Sequence, residues 1–118
     1  MALYASFVPF KMPLDELINA VEKSNVNNIS VYIGKNVSLT FPDRTAVYSK
    51  QQADVVLKDF FNNNSTLTYA NVQRTITSNA ASCIGTLYTN KAKYRLSMYL
   101  AQVNGKYYLQ ELRVEYSN

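Results

Sequence analysis

VSLTFPDRTAVYSKQQADVVLKDFF, Val37 to Phe61, packs a strand, a turn, a short strand and a capped helix into 25 residues. Val37, Leu39 and Phe41 alternate with Ser38 and Thr40, the pattern of a half-buried strand. Pro42-Asp43 is turn chemistry, because proline presets φ for a bend. Ala46 to Tyr48 reads as a brief return strand. Ser49-Lys50-Gln51-Gln52 has the form of a capping box, in which the Ser49 hydroxyl takes an early helix amide and Gln52 reaches back. Ala53, Val56, Leu57, Phe60 and Phe61 then form one apolar stripe at helical spacing. Asp54 and Lys58 are placed to pair on the outer side, and Asn62 to Asn64 end the helix.

Upstream, residues 1 to 11 carry no period, and Pro9 and Pro13 bracket a link. Pro13 suits the first position of a helix. Leu14, Leu17, Ile18 and Val21 make its stripe, with Asp15 and Glu16 in the first turn and Lys23 in the last. Helix one is therefore expected from Pro13 to Lys23. Ser24 or Asn25 can cap a second, shorter helix carrying Val26, Ile29, Tyr32 and Ile33, with Gly34 as a left-handed C-cap.

Downstream the period changes to two. Thr66 to Thr77, Ser82 to Thr89, Ala92 to Val103 and Lys106 to Tyr116 read as four strands. Asn104-Gly105 is a strong type I′ hairpin signal and Asn90-Lys91 a weaker one. Helices in the first half followed by a strand meander describe an α+β fold.

Counting out from those turns sets a register. Leu100 is expected opposite Leu109, Met98 opposite Glu111 and Leu96 opposite Arg113. Leu87 should oppose Tyr94, Gly85 oppose Leu96 and Cys83 oppose Met98. The face with the leucines is expected to meet the helices. The other face, with Ile84, Tyr88, Tyr99, Tyr108 and Leu112, is too rich in apolar groups for idle solvent surface.

Composition narrows the chemistry. At 118 residues and 47% hydrophobic, the chain is the size and character of one globular domain. Ten tyrosines and no tryptophan suit a β-rich domain with half-wet surfaces. One cysteine, Cys83, and no histidine exclude an intrachain disulfide and Ser-His or Cys-His catalysis, and they leave no ordinary zinc ligand set. Neither a cofactor nor a metal is expected, and Cys83 reads as a small buried hydrophobe. The net charge of +4 is scattered. Lys91, Lys93 and Arg95 are its nearest approach to a basic cluster, and they read as a solvated hairpin tip. No apolar run is long enough to span a bilayer. Met1 to Phe10 is apolar but lacks the basic start of a signal peptide. Asn28, Asn36, Asn63 and Asn64 each begin an Asn-x-Ser/Thr sequon, which reads as chance in an Asn-rich chain.

The register puts two charges, Glu111 and Arg113, into an otherwise apolar face. That arrangement reads either as a pocket floor or as a mutual ion pair reaching water. Tyr32, Tyr48, Tyr69 and Tyr94 could donate hydrogen bonds into the same cavity. The candidate pocket is Glu111, Arg113, Tyr94, Met98, Tyr32 and Phe60.

The element order, together with Ala46-Val47-Tyr48-Ser49-Lys50, Leu57-Lys58-Asp59-Phe60-Phe61 and the tail Gly105 to Arg113, resembles a small bacterial family of unknown function. That family belongs to the nuclear-transport-factor-like, or cystatin-like, α+β superfamily, and the likeness runs from about Leu14 to Glu115. The resemblance implies a cone, in which a curved antiparallel sheet wraps three helices and leaves a cavity at the open end. Superfamily members include ketosteroid isomerases, dehydratases and polyketide cyclases that use Asp, Tyr or His there. This chain has no histidine and no matching acid–Tyr motif, so no catalytic residue is carried over. Relatives tend to have a glycine in the turn held here by Pro42 to Thr45. The resemblance further implies export, and a homodimer through the outer face carrying Ile84, Tyr88, Tyr99, Tyr108 and Leu112. The expectation is thus a non-catalytic, exported binding module for a small hydrophobic ligand or a peptide. The alternatives are a proton-transfer enzyme with Glu111 as base, and an anion or nucleic-acid binder using Lys91, Lys93 and Arg95. Nucleic acid is not the expected partner.

Overall fold

The computed structural model of the protein describes residues 12–117. The link at Pro9 and the reading of Met1 to Phe10 lie outside them. Over the described residues the order is α1 (Leu14–Glu22), α2 (Val26–Ser30), β1 (Asn36–Phe41), β2 (Arg44–Ser49), α3 (Lys50–Asn63), β3 (Thr66–Ile76), β4 (Ala80–Thr89), β5 (Lys93–Val103) and β6 (Lys106–Tyr116). The fold is α+β, a curved, unclosed six-stranded sheet with three helices on its concave side.

The capping box at Ser49 forms as expected. The Gln52 amide donates to the Ser49 hydroxyl, and the Ser49 amide donates to the Gln52 side chain. Ala53, Leu57 and Phe61 of the stripe are buried. Asp54 pairs with Lys58 at 2.9 Å and accepts the Ser30 hydroxyl at 2.9 Å, which ties α3 to α2.

Two expectations at the helix ends are corrected, those for Pro13 and Gly34, and of the two candidate caps for α2 Asn25 is the one used. Pro13 sits at the N-cap of α1 rather than inside it, since its carbonyl accepts the Leu17 amide. Ser24 closes α1 in the left-handed conformation with φ 52°. The amides of Ser24 and Asn25 return to Val21 and Ala20, a Schellman motif. Asn25 then caps α2. That helix stops at Ser30, so Gly34 caps nothing. A side chain at Gly34 would instead come within 3.0 Å of the Tyr108 ring.

The strand order is β2-β1-β6-β5-β4-β3. β1 runs parallel to β6, so the sheet is mixed rather than wholly antiparallel. The cause is the crossover: after α3 the chain starts again at the far edge and meanders back until β6 lies beside β1. β4 and β5 pair in the expected register, with Leu87 opposite Tyr94 and Cys83 opposite Met98.

The β5–β6 hairpin begins as expected. Asn104 and Gly105 both have positive φ, and Leu100 faces Leu109. A bulge then intervenes. Gln110 is the extra residue, so Tyr99 faces Glu111, Ser97 faces Arg113, Met98 faces Leu112 and Leu96 faces Val114. The expected inward placement of Glu111 and Arg113 is therefore corrected, and so is the outward placement of Leu112. Leu112 and Val114 are both 0% exposed. Each buried aliphatic side chain contributes roughly 1.5–3 kcal/mol, whereas burying the two charges would cost free energy. The extra residue lets the strand keep its apolar groups inside.

A second bulge, at Ala70/Gln73, places Asn71 at φ 56°. Bulges bend and twist a strand, which curves the sheet around the helices. Beside this bulge the Tyr69 ring crosses Gly85, and its hydroxyl donates to the Leu96 carbonyl at 2.7 Å.

Candidate functional site

An open cleft of about 350 Å³ lies where α3 ends over the sheet. The β1–β2 turn supplies Phe41, Asp43 and Arg44, while α3 supplies Asp59, Phe60, Asn63 and Asn64. The first residue pair of β5 with β6, Tyr94 and Tyr116, closes the third side.

Local pattern explains the wall. Phe60 lies on the flank of the α3 stripe, beside the buried Leu57 and Phe61, so its ring reaches the mouth rather than the centre. It meets Phe41 at 5.3 Å, Phe61 edge-on at 5.1 Å and Tyr94 at 5.4 Å between ring centres. Tyr94 and Tyr116 are cross-strand partners on one face and stack at 5.4 Å with 20° between planes. The Tyr94 hydroxyl donates to Asn64 Oδ1 at 2.8 Å, and Asn64 Nδ2 donates to the Phe60 carbonyl at 3.1 Å. Burial, and then the neighbouring Tyr116, push the Tyr94 phenol above its ordinary pKa. It is a standing donor, and Asn64 fixes where it points.

Of the expected pocket residues, Tyr94 and Phe60 come together here. Met98 is 2% exposed and belongs to the core. Tyr32 lies elsewhere, donating to Glu16 of α1. That bond first, and burial second, push its pKa up to about 12. Tyr69 is a core residue beside Cys83, and burial raises both groups above their ordinary values. Glu111 and Arg113 stand on the outer face, 3.7 Å apart and 39% and 43% exposed, and Arg113 also meets Glu115 at 3.5 Å. They floor no pocket with Tyr94 and Phe60. The residues missed in the sequence are Phe41, Asn64 and Tyr116. Tyr116 was detectable only through the bulge, because an unbroken register would pair Tyr94 with Glu115.

The sequence from residue 14 to 115 matches the family model described as a domain of unknown function, DUF4783. The chain belongs to this family. A DUF4783 family protein from Bacteroides uniformis is 22% identical, with 88% of this chain and 96% of that one covered and a TM-score of 0.83. Another, from Bacteroides ovatus, is 27% identical over 86% of this chain and 93% of its own, with a TM-score of 0.80. An NTF2-like protein from Cytophaga hutchinsonii is 9% identical over 88% of this chain and 92% of its own, with a TM-score of 0.62. The last is a likeness of fold alone. No curated protein matches the sequence.

On the outer face of this DUF4783 domain, Ile84, Tyr88 and Tyr99 are exposed and Tyr108 is half-buried, while Leu112 lies inside. The basic residues do not gather. Lys91 is at the turn, Lys93 lies 6.0 Å above the Tyr88 ring, and Arg95 is opposite Glu115. Among the described residues no group of acidic residues and Cys could hold a metal, and no helix is long and apolar enough to cross a membrane.

Proposed function

We propose that this DUF4783 domain is a non-catalytic binding module whose open cleft holds a small hydrophobic molecule or the apolar side chain of a peptide. The observation that carries this reading is the unbroken run of ring contacts from Phe41 through Phe60 and Tyr94 to Tyr116, the last of which is 66% exposed. An apolar wall with a few fixed polar groups is the common chemistry of an organic-ligand site. Tyr94 and Asn64 are those polar groups. Proton transfer by Glu111 loses its support, because that carboxylate stands on the outer face beside Arg113. Self-association through Ile84, Tyr88 and Tyr99 is a separate proposal, supported by their exposure and weakened by the loss of Leu112 from that face.

Native mass spectrometry of the purified protein tests the cleft. A retained small molecule or peptide that is lost in Phe60→Ala is the expected result. A wild-type protein that carries nothing, and takes up no small aryl compound, neutral or charged, at saturating concentration, overturns the reading.

A further inference from the structure

We infer that the ligand of this cleft is an organic cation: an apolar body carrying an ammonium or guanidinium head. The inference rests on the cleft being a ligand site and adds the sign of the charge.

Three features of the cleft point the same way. First, its lining holds two carboxylates, Asp43 and Asp59, against one guanidinium, Arg44, a formal charge of −1. The whole chain carries +4, so the cleft is opposite in sign to the molecule around it. Second, α3 ends here. Asn63 and Asn64 line the cleft at the C-terminus of a 14-residue helix, where the Asp59 and Phe60 carbonyls already accept from Asn63 and Asn64 and only the helix's end charge acts on the cleft. The end of a helix carries about half a negative charge, which favours a cation within a turn of it. Third, the walls are ring systems. A ring face is the negative side of an aromatic quadrupole and attracts a cation. Asn64 adds its carbonyl oxygen, held by the Tyr94 hydroxyl.

Arg44 is the one opposing group. Among the described residues it forms no ion pair with Asp43 or Asp59. The carboxylates are therefore not neutralised by direct contact, and the guanidinium subtracts from the field without filling the site. A ring wall without charge would take any apolar body; a ring wall beside two unpaired carboxylates and a helix C-terminus prefers one with a positive head.

The test uses three probes with the same benzyl body: benzyltrimethylammonium, benzyl alcohol and phenylacetate, each titrated into the whole protein and followed by the NMR signals of Asn64, Phe60 and Tyr94. The cation is expected to bind about tenfold more tightly than the alcohol, with the acid weakest. Asp59→Asn should bring the ratio of cation to alcohol affinity close to one. Arg44→Gln should increase it. Both positions are exposed, so neither variant threatens the fold. If the alcohol shifts these signals and the cation binds no tighter, the inference fails and the cleft stands as a neutral apolar site. If none of the three probes shifts them, the ligand-site reading fails with it. A further arm, comparing butylamine with a blocked lysine-containing tripeptide, separates a free amine from a peptide side chain as the source of the head group.

Discussion

Truncating Leu112 and truncating its neighbour Glu111 should have opposite weights, and the comparison tests the bulge directly. Leu112 is 0% exposed and lies between Met98 of β5 and Leu39 of β1. Leu112→Ala leaves a cavity among groups already packed from both neighbouring strands, so a loss of about 2–5 kcal/mol is expected. Glu111 is 39% exposed and its contact with Arg113 spans 3.7 Å. A solvated pair of that kind is worth about 0–1 kcal/mol, so Glu111→Ala should stay within roughly 1 kcal/mol of wild type. Urea unfolding reads both: the midpoint falls steeply for Leu112→Ala and barely moves for Glu111→Ala, with the slope unchanged in each. In an unbroken register Glu111 would face the helices and Leu112 the solvent, and the two results would trade places. Equal losses, or a larger loss for Glu111→Ala, would refute the bulged register and return the charged pair to the core.

Gly85→Ala would bring a methyl to 2.8 Å from both Tyr69 Cε1 and Val72 Cγ2. Displacing the buried Tyr69 ring breaks its bond to Leu96, so a loss of about 2–4 kcal/mol is expected; a midpoint equal to wild type would mean the ring has room. Ser49→Ala should cost about 1 kcal/mol by removing the cap of α3, and an unchanged melting curve would place the helix start elsewhere. Tyr32 has its folded pKa raised to about 12 from 10.0, so its contribution is complete below pH 10 and is lost as pH rises towards 12. Tyr32→Phe should flatten that alkaline decline relative to wild type, whereas parallel pH curves would show that the Glu16 contact carries no such linkage. Tyr99→Asp should lower the sedimentation coefficient if the outer face joins two copies, and a wild type that already sediments as a monomer removes that proposal.

Much of the fold is legible in local chemistry. A serine and a glutamine three residues apart, an Asn-Gly pair and an uninterrupted helical stripe each act over a few residues, and each forms where the sequence places it. The β4–β5 register follows from its turn in the same way. What local chemistry hides is the extra residue. A strict alternation places Glu111 inside and Leu112 outside, and the spacing Leu109, Leu112, Val114 contradicts it by one position. Desolvating Glu111 and Arg113 costs more than one bulge, and that difference is what places the extra residue at Gln110. Gly34 is hidden for a related reason: its need for a missing side chain arises from Tyr108, 74 positions away in the sequence.

The cleft and the bulge are one event. Counted from Asn104-Gly105 without an extra residue, Tyr94 would lie opposite Glu115, and a carboxylate would stand where the mouth now has a ring. Gln110 advances β6 by one position, so Tyr116 comes to stack on Tyr94 and Glu115 moves to the outer face, within 3.5 Å of Arg113. The same step that takes Glu111 and Arg113 away from the core therefore builds the aromatic wall at the open end. The charged pair and the cleft cannot both belong to the concave side of this sheet, because a single shift of register decides between them. That is why the site belongs at Phe41, Phe60, Tyr94 and Tyr116, and why the residue that matters most for it, Gln110, does not touch it.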